Sequence, residues 1–193
     1  MEHILEIIGT IVGLIYLWQE YHASIYLWLT SIIMPAIYLF IYYDAGLYAD
    51  FGINIYYLII AIYGWLSWRY SFRLFGQNSN EELNISHIGM RSIIILSIIS
   101  GIIWLLISYI LTQYTDSNVP ISDALTTALS ITGMYMLARK YIEQWFVWAV
   151  VDVICVGLYF YKELYFTSAL YAVYAIIAIF GYHKWKKLIQ SNN

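Results

Sequence analysis

Two segments of this 193-residue chain carry matching sequences at a fixed separation. Residues 47–68 read LYADFGINIYYLIIAIYGWLSW, and residues 164–185 read LYFTSALYAVYAIIAIFGYHKW. The pairs that match at one offset of 117 residues include Tyr57 with Tyr174, Gly64 with Gly181, Trp68 with Trp185 and, further upstream, Trp28 with Trp145. An internal repeat of this kind predicts that the same substructure forms twice, on either side of a middle segment.

Both copies are strongly apolar. With 62% hydrophobic and 11% charged residues and a mean hydropathy of +0.69, the chain lacks the polar surface that a soluble domain of this length needs. Each apolar run is long enough for a helix across about 30 Å of hydrocarbon. We identify seven such runs, at residues 4–20, 25–43, 47–69, 91–112, 121–138, 142–161 and 164–185. The predicted fold class is an all-α integral membrane protein with seven transmembrane helices.

The basic residues indicate the orientation of these spans. If seven spans alternate in direction, eight of the nine lysines and arginines fall on one face of the membrane and only Lys162 falls on the other. The positive-inside rule then puts the N-terminus outside and the C-terminus in the cytoplasm.

Spans one to three repeat as spans five to seven, with span four as a linker. An odd linker re-inserts the second triplet in the same direction as the first, so we expect parallel repeats with a substrate path between them. This 3+1+3 plan resembles that of SWEET-like sugar transporters. The predicted domains are a first repeat at 1–70, a loop and linker helix at 71–120, and a second repeat with a cytoplasmic tail at 121–193.

An ionisable residue inside a membrane span is costly and usually functional. Asp152 lies among valines and isoleucine in the sixth span. Trp145, Trp148 and Asp152 stand at positions i, i+3 and i+7, so they share one helical face. Two indoles and a carboxylate could bind an organic cation through stacking, cation–π attraction and charge. The alternative is that Asp152 caps a helix or bonds a hydroxyl while the tryptophans only pack.

A second set of candidates relates the third span to the seventh. Asn54 and Tyr57 share one face of span three, and Tyr171 and Tyr174 occupy the matching positions of span seven. A buried amide needs hydrogen-bond partners, which a substrate could supply. An interhelical hydrogen bond would satisfy Asn54 equally well.

Several other functions are disfavoured by what the sequence contains. The four histidines lie at span ends or in loops, so they offer no facing pair for a haem and no mid-membrane base for a serine nucleophile. The sequence has no P-loop motif for ATP hydrolysis. We expect no enzymatic activity, no cofactor, no metal site and no nucleic-acid partner.

The segment from Trp145 to Trp185 closely resembles the PnuC family of vitamin transporters. The shared pattern is WxxWxxxD ending at Asp152, then GLYxYKxLYxTxxLY from Gly157 to Tyr171, then a closing GxxxW. The first half agrees in LYAD at 47–50 and YGWxxW at 63–68. The resemblance implies SWEET-like parallel repeats in the bacterial inner membrane, with the N-terminus outside. It also implies facilitated diffusion of a B vitamin or its nucleoside, which the cell then traps by phosphorylation or pyrophosphorylation.

Departures from the family pattern bear on the choice of vitamin. Members that resemble nicotinamide riboside carriers have an Arg-x-Asn-x-Trp-x-Trp entry to span two and a glutamine in span three. Here the entry runs from His22 to Trp28 without that arginine and asparagine, and the amide is Asn54. We therefore expect thiamine, with nicotinamide riboside as the alternative. A further alternative is a vitamin-binding subunit of a larger ATP-driven transporter.

The vitamin would bind between the two three-helix bundles near the membrane midplane, and alternating access would carry it across. Assembly of several copies of the chain is left open by the sequence. The predicted substrate-binding residues are Trp145, Trp148, Asp152, Asn54, Tyr57, Tyr171 and Tyr174.

Overall fold

The computed structural model describes residues 2–44, 48–71, 82–115 and 117–191, without the side chains of residues 2–11, 34, 37–38, 41–44 and 48–52. Within these residues the chain forms seven helices and no β-strand. The helices are α1 (Glu2–Tyr21), α2 (Leu27–Asp44), α3 (Tyr48–Tyr70), α4 (Met90–Tyr114), α5 (Pro120–Ala138), α6 (Gln144–Tyr161) and α7 (Tyr165–Ser191). Their number and order match the seven predicted spans, so the all-α prediction is confirmed.

Three of the described helices are long and apolar enough to cross a membrane, namely α4, α6 and α7. Most of the exposed side chains of α4 are large and apolar, as Ile95, Ile102 and Leu105 illustrate. A helix that presents such residues outward is typical of a segment surrounded by lipid. That the remaining helices also span the membrane stays a prediction.

The chain divides into two compact units, Met1–Asn84 and Ile85–Asn193. In the first unit α2 packs on both α1 and α3, and in the second unit α4, α5 and α6 each pack on the next helix in sequence. The predicted loop after Ser71 falls largely on residues 72–81, which lie outside the described part of the chain. The 3+1+3 plan and the parallel direction of the repeats remain predictions.

The turn between α1 and α2 and the turn between α5 and α6 have the same backbone structure. Each contains one residue with positive φ, Ala23 at 50° and Lys140 at 51°, and these two positions are 117 residues apart. Six backbone hydrogen bonds recur with the same offset and nearly the same lengths. In the first turn they are His22–Trp18, Ala23–Glu20, Ser24–Gln19, Leu27–Ser24, Trp28–Ile25 and Leu29–Tyr26, matched in the second by Arg139–Tyr135, Lys140–Leu137, Tyr141–Met136, Gln144–Tyr141, Trp145–Ile142 and Phe146–Glu143.

A pair of edge-to-face tryptophans also recurs in each unit. Trp28 meets Trp68 with ring centroids 5.6 Å apart and planes at 87°, and Trp145 meets Trp185 at 5.7 Å and 89°. All four rings are almost completely buried. Aromatic pairs with this geometry stabilise a core beyond their buried area.

A glycine lets each first tryptophan approach the neighbouring helix. A Cβ at Gly64 would overlap the indole of Trp28, and a Cβ at Gly181 would lie 2.6 Å from the ring of Trp145. Close helix packing over a small residue is common in membrane proteins. The sequence repeat is therefore matched by a repeat in local packing inside each unit.

In the second unit, the segment before α4 is held against the α5–α6 turn. Ser86 N–H donates to Lys140 O at 3.1 Å, and Ile142 N–H donates to Ser86 O at 3.0 Å. The Glu143 carboxylate accepts the backbone N–H of Ile88 at 3.0 Å, and its other oxygen lies 2.7 Å from Nδ1 of His87. These contacts fix the entry of α4 relative to the first residues of α6.

Candidate functional site

The candidate site in the second unit is centred on Asp152, in the middle of α6. Its side chain is only 7% exposed. Its carboxylate interacts electrostatically with Cys155, Tyr171 and Tyr174. Among the residues that the structure describes, no cation and no hydrogen-bond donor pairs with its carboxylate. Burying an uncompensated carboxylate is costly, so a ligand that brings positive charge or N–H and O–H donors would be stabilised there.

Trp148 lies one turn before Asp152 on the same face of α6. Its ring packs against Gly133 of α5, where a Cβ would be 3.2 Å from the indole. The indole Nε1 is buried, and it has no hydrogen-bond partner among the described groups. Trp148 therefore offers an aromatic surface and an unused donor next to the carboxylate.

Trp145 has different surroundings from the other two members of the predicted stripe. It is 1% exposed and lies between Gly181 and Trp185, so its ring belongs to the contact of α6 with α7. Its indole nitrogen likewise has no partner within the described ranges. Binding of a substrate by Trp145 stays a prediction.

The predicted tyrosines of α7 meet each other beside α6. Tyr171 contacts Tyr174 edge-on with ring centroids 5.6 Å apart, and its other neighbour is Tyr159 of α6, stacked at 5.1 Å and 23°. Sequence reasoning did not assign Tyr159 to the site. Its spacing of seven residues from Asp152, which puts both on one face of α6, was the available signal.

The remaining predicted residues belong to the first unit. Asn54 of α3 is buried, and Tyr57 is half-buried, with its ring 5.7 Å from that of Tyr56. These two residues lie one turn apart on α3. Their predicted part in substrate binding is untested.

Sequence reasoning also missed Gln144, the first residue of α6. It is fully buried, and neither polar atom of its amide has a hydrogen-bond partner in the described part of the chain. The signal was the repeat itself, because the matching position of the first half is the apolar Leu27.

The residues described by the structure include no cluster of three or more histidine, cysteine or acidic side chains suited to a metal ion. The donors and acceptors of the site are instead a carboxylate, indoles, phenols and an amide. That set suits recognition of an aromatic organic molecule by stacking, charge and hydrogen bonds.

Comparison with known proteins identifies the family. The sequence model of the nicotinamide mononucleotide transporter family matches residues 3–187. The chain belongs to the PnuC family. The nicotinamide riboside transporter PnuC of Escherichia coli strain K12 is 22% identical over 204 residues, which cover 94% of this chain and 84% of that protein. The riboflavin/roseoflavin transporter RibM of Streptomyces davaonensis is 25% identical over 187 residues, covering 95% and 86%.

A solved structure supports the same assignment at the level of the fold. The crystal structure of the vitamin B3 transporter PnuC superposes with a TM-score of 0.66 at 20% identity, covering 95% of this chain and 81% of that one. The PnuC-family resemblance inferred from the sequence is confirmed by the family match.

The protein is a multi-pass membrane transporter of the PnuC family, as the sequence predicted. These relatives are named for nicotinamide riboside and riboflavin, and they give the thiamine prediction no support. The sequence departures at His22 to Trp28 that suggested thiamine therefore do not identify a substrate by themselves. The orientation of the termini stays a prediction.

Proposed function

We propose that this protein carries nicotinamide riboside across the bacterial inner membrane by facilitated diffusion. The observation that carries the proposal is the buried Asp152 carboxylate, which no described cation or donor pairs with and which lies one turn from Trp148. The pyridinium ring of nicotinamide riboside is flat, aromatic and permanently cationic. A carboxylate beside an indole suits such a ring, because charge and stacking act on it together.

In this proposal Trp148 stacks on the pyridinium ring and Asp152 offsets its charge. Tyr171 and Tyr174 supply aromatic walls and hydroxyl groups next to the carboxylate. The part of Asn54 and Tyr57 of the first unit in substrate binding stays a prediction. Trp145 contributes by holding α6 against α7, since its ring is already enclosed by Gly181 and Trp185.

A second candidate substrate is riboflavin, which is favoured by the similarity to RibM over 95% of this chain. Riboflavin also offers a broad aromatic ring, but it is neutral at pH 7. The Asp152 carboxylate would then act as a hydrogen-bond acceptor and not as a counter-ion. The two substrates therefore differ in how strongly their binding depends on the charge at residue 152.

Competitive binding to the purified protein tests the choice of substrate. We expect nicotinamide riboside to displace labelled ligand at lower concentration than riboflavin or thiamine. A clear preference for either of the other vitamins would overturn the choice while leaving the transporter class intact.

Reconstitution in liposomes tests the mode of transport. A facilitator equilibrates labelled nicotinamide riboside across the bilayer with no partner protein and no ATP. A vitamin-binding subunit of an ATP-driven complex would bind the label and leave the internal concentration unchanged. The second outcome would replace facilitated diffusion by the partner-dependent alternative.

A further inference from the structure

Gln144 has a buried side chain whose hydrogen-bonding capacity is unused in the fold. It is 0% exposed, and both Oε1 and Nε2 lack a partner among the described residues. A primary amide can donate twice and accept twice, so leaving it unpaired away from water costs free energy. The great majority of buried side-chain polar groups in proteins are paired, and an exception calls for a specific explanation.

The internal repeat shows that the local fold does not need this amide. Leu27 occupies the equivalent position in the first unit and is equally buried. The backbone bond at the two positions is the same, from Leu27 N–H to Ser24 O and from Gln144 N–H to Tyr141 O, both at 3.2 Å. An apolar side chain of similar size therefore fills this place in an identical turn, at no cost in unpaired polar atoms.

Gln144 also lies in register with the candidate site. Gln144, Trp148 and Asp152 stand at i, i+4 and i+8 of α6, which places them along one stripe. At 1.5 Å of rise per residue, the stripe spans about 12 Å, with Trp148 near its middle. Trp148 adds its own unpaired indole N–H to the same stripe. The stripe thus presents an amide, an indole and a carboxylate at steps of about 6 Å.

We propose that Gln144 binds an amide-like edge of the substrate, one that presents a donor beside an acceptor. This inference rests on the proposed function. With the pyridinium ring at Trp148, the carboxamide of nicotinamide riboside pairs with the Gln144 amide while the ring charge faces Asp152. Gln144 then recognises the carboxamide, and Asp152 recognises the positive charge of the ring. The flavin imide of riboflavin carries an edge of the same kind.

The test replaces Gln144 by the leucine that the first repeat carries, and measures stability and binding together. We expect Gln144→Leu to raise the unfolding midpoint, because it removes two unpaired buried polar atoms. We expect the same variant to bind nicotinamide riboside at least about tenfold more weakly. It should also lose discrimination against nicotinic acid riboside, in which a carboxylate replaces the carboxamide, so that both N–H donors are missing and a negative charge is added. Leu27→Gln is the matched control, and it should lower the unfolding midpoint and leave discrimination unchanged.

Two outcomes would overturn the inference. A lower unfolding midpoint for Gln144→Leu would mean that the amide is paired within the fold. Unchanged affinity and discrimination in a stable variant would mean that it does not touch the substrate. Failure of the proposed function is separate, since the wild-type protein would then not bind nicotinamide riboside. In that case the same pair of variants is compared with riboflavin and N3-methylriboflavin, whose imide donor is blocked, and equal binding of the two flavins by wild type and variant would reject the role of Gln144.

Discussion

Replacing Gly181 by alanine should destabilise the second unit through the ring of Trp145. The new Cβ would lie 2.6–2.7 Å from three atoms of the indole, whereas ordinary contacts are 3.4–4 Å. The ring must therefore retreat by about 0.8 Å, although it is 1% exposed and already rests edge-on against Trp185. Overpacking of this kind costs about 1–3 kcal/mol. Part of this loss in stability is offset, because replacing glycine by alanine inside a helix raises helix propensity and stabilises the protein by up to about 1 kcal/mol.

Gly157→Ala is the matched control, since an added Cβ at Gly157 of α6 meets nothing within 4 Å. The helix-propensity gain is common to both variants, so their difference isolates the overpacking cost, about 1–3 kcal/mol. Chemical unfolding of the purified protein measures it. Equal stability of Gly181→Ala and Gly157→Ala would refute the argument from packing. So would strict additivity when Trp145→Leu is combined with Gly181→Ala, because a smaller partner must relieve the clash.

Three further predictions concern the site, the segment before α4 and the repeated turn. Asp152→Asn should weaken binding of nicotinamide riboside at least about tenfold, about 1.4 kcal/mol, as measured by calorimetric titration. Asp123→Asn, at the half-exposed pair with Lys162, is the control and should leave the affinity unchanged. Equal affinities of the two variants for nicotinamide riboside would remove Asp152 from the site. Glu143→Ala removes the acceptor of the Ile88 N–H. It should lower the free energy of unfolding by about 0.5–1.5 kcal/mol and speed hydrogen exchange at residues 86–88. Unchanged exchange at these residues would contradict the described contact. Ala23→Gly should stabilise the protein by about 0.5–1 kcal/mol, because glycine adopts the positive φ of this turn without strain. Ala149→Gly within α6 is the control and should destabilise the protein by about 1 kcal/mol. Changes of the same sign in the free energy of unfolding of the two variants would reject the reasoning about the turn.

The helices were predictable because the apolar runs are long and separated by short polar breaks. The repeat offset went further, since it pairs Trp28 with Trp145 and Gly64 with Gly181, positions that prove to have the same packing in the two units. Periodicity alone could not show that Trp145 is enclosed by a neighbouring glycine. A helical face contains both packing residues and ligand-binding residues, and only the contacts of each ring tell them apart.

The candidate site was predicted in part for the same reason. Asp152 was identifiable because a carboxylate among valines is conspicuous in an apolar run. Gln144 was not identified, because a polar residue at a helix terminus is ordinary in a sequence. Its interest comes from complete burial and from the absence of a partner among the described groups. The repeat pairs this position with the buried Leu27, but the missing partner could be found only from three-dimensional contacts.

The duplicated turn has a consequence for how such a chain can acquire selectivity. The six hydrogen bonds that recur in both copies join main-chain atoms only, so the shape of the turn tolerates different side chains at equivalent places, as Leu27 and Gln144 illustrate. Gene duplication would by itself give two identical halves, which are poorly suited to a nutrient whose two ends differ chemically. A scaffold that is indifferent to side-chain identity lets each half diverge in chemistry while both keep one architecture.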